Sequence, residues 1–297
     1  MLHELHKTRR TRPVHSLILN ETIAGVTDIL GRELGGIMVE RAVIGLFFTG
    51  VKLAAGVAGT CATPRDAVPG DICCPVSARS AGFAGPLAGR PAAELMQHAL
   101  AENGLSRAVG IATLNALAEL CWRRHPSPGV ELLAGTDAFD ASEFNSGDRV
   151  VLGGAFIPFL KEVKRRRQPY LVLEQNPAAL KPEEMPFYRP AELAVEIVPA
   201  ADVLLITGAT LLNDTLEDLL ALARPEARVT VLGPTVGMLP DAFLARGADV
   251  LGSVRITQPD AFLDLPAEGG SAPHFLGRLA EKIVLARKPA GVRANVA

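Results

Sequence analysis

The sequence is poor in aromatic residues and in cysteine, and it carries no excess of positive charge. Phe, Trp and Tyr make up 5% of its 297 residues, and the formal net charge is -2. Proteins that bind nucleic acid usually show a clear basic excess, and those that bind single strands stack bases on aromatic rings. We therefore expect no nucleic-acid partner.

Motifs that define several enzyme classes are missing. The sequence contains no GxSxG, no HExxH, no Walker phosphate loop and no protein-kinase set, which disfavours a hydrolase, a metalloprotease and a kinase. The basic N-terminal stretch lacks the apolar core of a secretory signal, so we expect a cytoplasmic protein. The apolar stretch 42–59 contains Lys52 and four glycines, which predicts buried strands and no membrane span.

Length and composition indicate a globular protein with two domains. The 297 residues exceed the roughly 100–200 residues of one domain. A content of 48% hydrophobic and 21% charged residues is typical of a chain that buries a core. Because the pattern of the sequence changes near residues 144–148, we expect one domain over 1–145 and a second over 146–297.

The first half predicts an α+β domain. Apolar residues recur at steps of three or four from Leu19 to Leu34, which predicts a helix that ends at Gly35 and Gly36. Three short apolar segments at 39–46, 47–54 and 57–62 predict an antiparallel sheet, and we expect the helix to pack on it. Two further helices are predicted after Pro91, the second over 105–124.

The second half predicts a parallel sheet covered by helices, the arrangement of an α/β domain. Short apolar runs alternate with helical patterns in this half. A final helix is predicted near 274–286. The predicted strands are 149–154, 170–176, 202–208, 228–235 and 248–253.

Polar and small residues collect where these strands end. In an open parallel sheet, ligands bind beyond the carboxyl ends of the strands. We therefore expect these ends to line a binding site. The candidate residues are Gly153, Gly154, Glu174, Thr207, Gly208, Thr210, Gly233, Pro234 and Thr235.

The stretch "ITGATLLNDTLEDLL", residues 206–220, allows two interpretations. Asn213, Asp214 and Thr215 are good helix N-caps, and Asp214 with Glu217, or Thr215 with Asp218, could form a capping box. Capping does not account for the residues 207–210, whose hydroxyls and N–H groups could hold an anion or a polar ligand.

Glu174 also allows two interpretations. The turn "GGAF" after the first strand is not the dinucleotide motif GxGxxG, yet Glu174 follows Gly154 by about 20 residues, where an acidic side chain meets the ribose in dinucleotide sites. An enzyme that uses a nucleotide-like cofactor such as S-adenosylmethionine is therefore the alternative function. The other interpretation is a solvated strand end.

Cysteine thiols are the candidate metal ligands. Cys61, Cys73 and Cys74 could meet if the Pro/Gly-rich stretch 63–90 folds back, and soft thiolates favour zinc or copper(I). Unpaired cysteines can equally be small buried hydrophobic residues. In the absence of a secretory signal, we expect free thiols and no disulfides.

Four segments carry a family resemblance. The chain from about Gly45 to Arg255 resembles the heavy-metal chelation family, a family of unknown function whose members pair an enolase N-terminal-like domain with a Rossmann-like domain. The most specific elements are TGxTLxNxTL and GPT. The four segments are "AGPLAGRPAAELMQHAL", "AVGIATLNALAEL", "ADVLLITGATLLNDTLEDLLALA" and "VTVLGPTVGMLPDAFLARGADVLGSVRI".

The resemblance implies a site at the junction of the two domains. Asn115 matches a motif of the small-domain helix, and Asp214 stands where the family commonly has glycine. The positions that match the two specific elements are Thr207, Gly208, Thr210, Asn213, Thr215, Gly233, Pro234 and Thr235.

These observations lead to one functional expectation and two alternatives. We expect a protein that binds a small anionic molecule or a metal chelate in the interdomain cleft and acts in metal handling or in making a chelator, with a heavy or transition metal ion as the candidate cofactor. The alternatives are the nucleotide-dependent enzyme and a non-catalytic scaffold or storage protein that assembles as a homo-oligomer. No membrane partner is expected, and no catalytic residue is assigned.

Overall fold

The described chain folds around two β-sheets. The structure is a computed structural model, and it describes residues 16–67, 86–125, 127 and 129–288. One sheet has three strands and the other has eight. Cys73 and Cys74 lie outside the described residues.

The small sheet is the antiparallel meander that the sequence predicts. Its strands are β1 (Val39–Ile44), β2 (Phe48–Leu53) and β3 (Ala58–Ala62), in the order β1-β2-β3. All pairings are antiparallel. Most of the apolar stretch 42–59 therefore forms strands, as predicted; Gly45 and Gly56 lie in the turns between them, whereas Gly50 and Gly59 lie within β2 and β3.

In the described part of the chain, three helices flank the small sheet. α1 (Leu17–Leu30) continues as a 3₁₀ turn over Gly31–Gly36, and α2 (Ala92–Leu95) continues as a 3₁₀ turn over Met96–Leu100. α3 (Gly104–Arg124) is the longest helix among the described residues.

The packing partner predicted for α1 is wrong. α3 packs on β2 and β3, whereas α1 packs mainly against α3 and against the later helix Asp241–Leu244. The reason is that α3 is buried on nearly all sides and therefore separates α1 from the sheet.

The large sheet is mainly parallel, which confirms the mixed α/β class. Its order is β4-β11-β10-β9-β8-β5-β6-β7. The pairs from β7 to β10 are parallel, and β11 is antiparallel to both of its neighbours. The strands are β4 (Val130–Ala134), β5 (Val150–Gly153), β6 (Tyr170–Glu174), β7 (Tyr188–Pro190), β8 (Val203–Thr207), β9 (Arg228–Leu232), β10 (Val250–Ile256) and β11 (Ala280–Arg287).

Helices connect the strands of the large sheet. α5 shows how they attach: Phe159, Leu160 and Val163 are buried, and three basic residues occupy the last turn, where cations suit the helix dipole. The helices are α4 (Ala138–Ala141), α5 (Ile157–Arg166), α6 (Ala194–Ile197), α7 (Leu216–Leu222), α8 (Asp241–Leu244), α9 (Pro259–Ala267) and α10 (Ala272–Phe275).

The predicted C-terminal helix near 274–286 is wrong. Only Ala272–Phe275 is helical, and Ala280–Arg287 is β11, an interior strand between β10 and β4. Ile283, Val284 and Leu285 are all buried, because a strand covered on both faces is apolar without alternation. Such a run cannot be distinguished from a buried helix by periodicity alone.

The expected division at residues 145 and 146 stays a prediction. β4 and α4 precede this point in the chain, yet β4 pairs with β11 in the large sheet and α4 packs on β10. Among the described residues, no helix combines the length and the apolar character needed to cross a bilayer.

Candidate functional site

The order in which strands join the large sheet reverses between the neighbouring parallel strands β5 and β8. From β5 the chain adds β6 and β7 on one side, and it then returns to add β8, β9 and β10 on the other side. The crevice beyond the carboxyl ends of such a strand pair is the usual ligand site of an open α/β sheet. The residues that leave β5 and β8 are therefore the first to consider.

The turns after β5 and β8 are in close contact. Gly154 has a φ of 106°, and a Cβ atom added to it would lie 2.6 Å from Thr207 Cγ2. A side chain at this position would therefore clash, and glycine brings the two turns together.

The turns after β8 and β9 also pack against each other. A Cβ atom on Gly208 would lie 2.9 Å from Val236 Cγ1, and one on Gly233 would lie 3.5 Å from the nitrogen of Gly208. The predicted residues Gly154, Thr207, Gly208 and Gly233 thus lie side by side along one edge of the sheet.

Asn115 and Thr235 connect this edge to the small sheet. Asn115 Nδ2 donates to the carbonyl oxygens of Thr60, Pro234 and Thr235 at 2.7, 3.2 and 3.1 Å. Thr235 Oγ1 accepts from the nitrogen of Ala62 at 3.2 Å. The structure therefore brings together predicted residues from both halves of the chain, on α3 and on the turn after β9. We call this contact region, around Asn115 and Thr235, the junction.

Two buried polar atoms at the junction have no hydrogen-bond partner among the described residues. They are Asn115 Oδ1 and Ser253 Oγ, in side chains that are 5% and 4% exposed. A Cβ atom added to Gly237 would lie 3.0 Å from Ser253 Oγ and 3.6 Å from Asn115 Cγ. Buried polar groups normally have a partner, so both side chains have unused hydrogen-bonding capacity around one glycine.

Sequence reasoning missed Ser253 and Gly237. Ser253 lies in the strand predicted from "ADVLGS", where a hydroxyl among apolar residues was the available signal. Gly237 follows the GPT element by two residues. Neither position stands out without the contact to Asn115, which is distant in sequence.

The turn from Thr210 to Thr215 is held by an ion pair that the sequence did not predict. Arg107 on α3 is 4% exposed, and it donates to Asp214 Oδ2 at 2.7 Å and to the Leu212 carbonyl at 3.1 Å. Asp214 has a φ of 56°. This left-handed conformation favours glycine, the residue that the family resemblance implies at this position.

The predicted capping box is wrong. Thr215 is the N-cap of α7, but its side chain makes no capping hydrogen bond; instead it donates to Asn213 Oδ1 at 2.7 Å. Glu217 accepts from Ser16 Oγ and from the nitrogen of Ile18, at 2.6 and 2.7 Å. A tertiary contact with the start of α1 therefore replaces the local cap.

Thr210 and Asn213 occupy different environments. Thr210 Oγ1 donates to the Thr207 carbonyl at 2.7 Å and is buried, so its hydroxyl stabilises the turn. Asn213 is exposed, and its Nδ2 reaches Gln175 Oε1 at 3.5 Å. A ligand-binding role for either residue stays a prediction.

Glu174 joins the turns after β5 and β6. Its Oε2 accepts from the nitrogen of Ala155 at 2.7 Å, and its Oε1 accepts from the nitrogens of Gln175 and Asn176 at 2.8 and 2.9 Å. By accepting from these three backbone N–H groups, the carboxylate stabilises the two turns. Its contact with a ribose stays a prediction.

Cys61 lies at the junction as a protonated thiol. Its Sγ donates to the Ala62 carbonyl at 3.3 Å and lies 3.8 Å from Thr235 Oγ1. Burial raises the pKa of this thiol to about 12, so the thiolate that a metal requires is disfavoured. Within the described ranges, no group of three or more His, Cys, Asp or Glu side chains could hold a metal ion. The site of Cys61, Cys73 and Cys74 stays a prediction.

Fold and junction together define a class of α/β protein. In this class a helix-covered antiparallel sheet contacts the strand ends of a mainly parallel sheet. Two family models match the chain, DUF364 over residues 137–285 and DUF4213 over residues 27–118, and both are described as "Putative heavy-metal chelation". The chain belongs to this family.

A relative of known sequence matches part of the chain. An uncharacterised protein of Methanocaldococcus jannaschii is 25% identical over 162 residues, which is 54% of this chain and 58% of that protein. The chain therefore matches little more than half of that relative's length.

Two crystal structures of DUF364 proteins of unknown function share the fold. The protein of Pyrococcus horikoshii superposes with a TM-score of 0.68 at 18% identity, over 90% of this chain and 99% of that one. The protein of Desulfitobacterium hafniense gives 0.65 at 19% identity, over 91% and 97%. An enolase-like character of the first domain stays a prediction.

Proposed function

We propose that the chain binds a metal chelate, or another small anionic molecule that carries a hydrogen-bond donor, at the junction. In this proposal its role is the handling of a heavy or transition metal ion. The description of the family supports this role, and the observation that carries the site is the pair of unpartnered atoms, Asn115 Oδ1 and Ser253 Oγ, around Gly237.

The chemistry of these atoms suits a donor on the ligand. Asn115 Nδ2 is already used by three carbonyl oxygens, so the amide is fixed with its Oδ1 as a free acceptor. Ser253 Oγ can donate or accept. A hydroxyl, an amine or a water molecule coordinated to the metal would satisfy Asn115, and the same ligand could accept from Ser253.

The ligand must displace part of the junction to reach these atoms. Both are closed to bulk solvent, and the turn after β9 is held to α3 and β3 by Asn115 and Thr235. We expect binding to change the hydrogen exchange of the amides in residues 233–237. A single buried water could also satisfy both atoms, and a binding experiment distinguishes the two occupants.

Substitution of Ser253 by alanine tests the proposal. Ser253→Ala removes a hydroxyl without a protein partner, so the free energy of unfolding should stay unchanged or rise by up to about 1 kcal/mol. The affinity for the ligand should fall about three- to tenfold, the value of one hydrogen bond. Equilibrium dialysis against nickel–histidine and iron–citrate complexes, with metal analysis of the retained fraction, measures the affinity.

Ser142→Ala is the matched control. Ser142 is also a buried serine, but its hydroxyl donates to the Ala138 carbonyl at 2.6 Å and contacts Thr230 Oγ1 at 2.7 Å. Its removal should lower the free energy of unfolding by about 1–2 kcal/mol and leave the affinity unchanged. If the wild-type chain retains neither complex at micromolar concentration, or if Ser253→Ala binds as tightly as wild type, the proposal fails.

A further inference from the structure

A cavity lies on the helical side of the molecule. It has a volume of about 580 Å³ and lies between α1, the C-terminal end of α3 and residues 239–245. This size falls within the roughly 300–1,000 Å³ of pockets that bind small molecules. None of its lining residues belongs to the junction, so it is a separate feature, which we call the helical groove.

The helical groove has an apolar floor and an acidic rim. Trp122, Leu239 and Ala242 contribute to the floor, while Asp28 and Asp241 lie at the rim. Among the residues that the structure describes, neither aspartate has an ion-pair partner, and the lining contains one histidine, His125, but no lysine or arginine.

A third carboxylate is already neutralised. Glu21 also lines the groove, but it accepts from Arg246 Nη1 and Nη2 at 2.8 and 2.7 Å. The hydrogen bond from Arg246 holds the pKa of Glu21 below its ordinary value. The negative charge left without compensation is therefore that of Asp28 and Asp241.

The dipole of α3 adds to this negative potential. The last turn of α3 carries the lining residue Trp122, whereas Asp241 lies in the first turn of the short helix α8, where the dipole is positive. The C-terminal end of an α-helix has partial negative charge from its free carbonyl groups and favours a nearby cation. Arg123 and Arg124 in the last turn of α3 pair with Glu119 and Glu33.

The indole of Trp122 supplies a further point of recognition. The residue is 8% exposed, and it lines the groove. An indole ring also attracts ammonium groups over its face. An apolar wall, an indole and unpaired carboxylates are a combination that suits an organic ammonium compound.

We infer that the helical groove is a binding site for an organic cation, an ammonium compound with an aliphatic body. The aliphatic part packs on Leu239 and Ala242, and the ammonium group lies between Asp28 and Asp241. This site is independent of the ligand proposed at the junction.

The fluorescence of Trp122 tests the inference directly. It is the single tryptophan of the chain, so a change in its emission reports the helical groove alone. Hexamethylenediamine, hexanediol and adipate have six-carbon chains and differ in charge. The diamine should give a saturable change that weakens as salt is raised, hexanediol should bind more weakly, and adipate should not bind.

Charge variants assign the contact to the two aspartates. Asp28→Asn and Asp241→Asn should each raise the dissociation constant of the diamine about two- to fivefold, the effect of one solvent-exposed ion pair. Asp140→Asn is the matched control, because Asp140 is exposed and, like Asp241, lies in a four-residue helix. It should leave the constant unchanged.

Three results would overturn the inference. They are no saturable change with the diamine, equal binding of adipate, and unchanged affinity in both aspartate variants. The comparison of the three probes uses the wild-type chain alone. It therefore tests the inference even if one of the aspartate variants does not fold. Ser253→Ala should not affect diamine binding. A failure of the proposal for the junction can therefore be distinguished from a failure of the inference about the helical groove.

Discussion

Asp214 shows how one residue combines backbone strain with a buried contact. Its φ of 56° is a conformation in which a residue other than glycine costs about 1 kcal/mol. The side chain compensates by pairing with Arg107, which is almost fully buried. Removal of one partner leaves an uncompensated charge, and the cost of this change is larger than the strain.

We therefore expect Asp214→Gly to destabilise the protein although glycine fits the backbone better. The free energy of unfolding should fall by about 1–3 kcal/mol, since part of the cost of the unpaired Arg107 is offset by relief of strain. Urea unfolding followed by circular dichroism measures the change.

Arg167→Gly is the control for the backbone effect. Arg167 also has a φ of 56°, but it has no ion pair among the described residues. Its replacement should change the free energy of unfolding by less than about 1 kcal/mol. Equal effects of the two glycine variants would contradict the role assigned to the Arg107 pair.

At the scale of elements, β11 completes the large sheet. It lies between β10 and β4 and runs antiparallel to both. Without it, β10 would expose an unpaired edge, which favours aggregation, and β4 would lose its pairing partner in the sheet. The segment 280–287 is therefore part of the core of the sheet, whereas the sequence pattern predicted a helix over 274–286.

Val284→Ala tests the position of this strand. Val284 is fully buried and pairs with Gly252 and Leu133, so the substitution should lower the free energy of unfolding by about 1–3 kcal/mol through lost burial and a cavity. Lys282→Ala is the control on the same strand. Lys282 is exposed, and among the described residues its side chain forms an ion pair with Asp137, so its loss should cost less than about 1 kcal/mol. Similar values for both would argue against an interior strand.

At the scale of the whole molecule, ion pairs between distant segments make stability depend on pH. Asp202, just before β8, pairs with Arg149, just before β5, and with Arg224, after α7. The hydrogen bonds from Arg149 hold the pKa of Asp202 well below its ordinary value. A carboxyl whose pKa is lower in the folded state stabilises the fold above the ordinary pKa of about 4 and loses this contribution as the pH falls.

We expect the free energy of unfolding to decrease as the pH is lowered from about 5 toward 2. Asp202→Asn removes the titrating group, so the variant should be less stable than wild type at pH 7 and should show a weaker pH dependence below pH 5. Urea unfolding at a series of pH values measures both effects. A variant with the same slope as wild type would exclude Asp202 as a source of the acid sensitivity.

The sequence by itself determined the elements whose signals are local. Apolar periodicity and glycine punctuation determined the small meander, α3 and the parallel strands β5, β6, β8, β9 and β10, because secondary structure of this kind depends on neighbours along the chain. The same rule placed Thr207, Gly208 and Gly233 at one edge of the sheet, since the carboxyl ends of parallel strands meet there.

Only the tertiary structure decided the contacts between distant parts of the chain. The pairing of β11 with β4, the contact of Asn115 with the turn at Thr235, and the ion pair of Arg107 with Asp214 each join residues about 100 or more positions apart. No local pattern encodes such a pairing, because its free energy comes from burial and hydrogen bonding between surfaces that form separately. For the same reason, the sequence could not show that the polar atoms of Asn115 and Ser253 lie close together without hydrogen-bond partners.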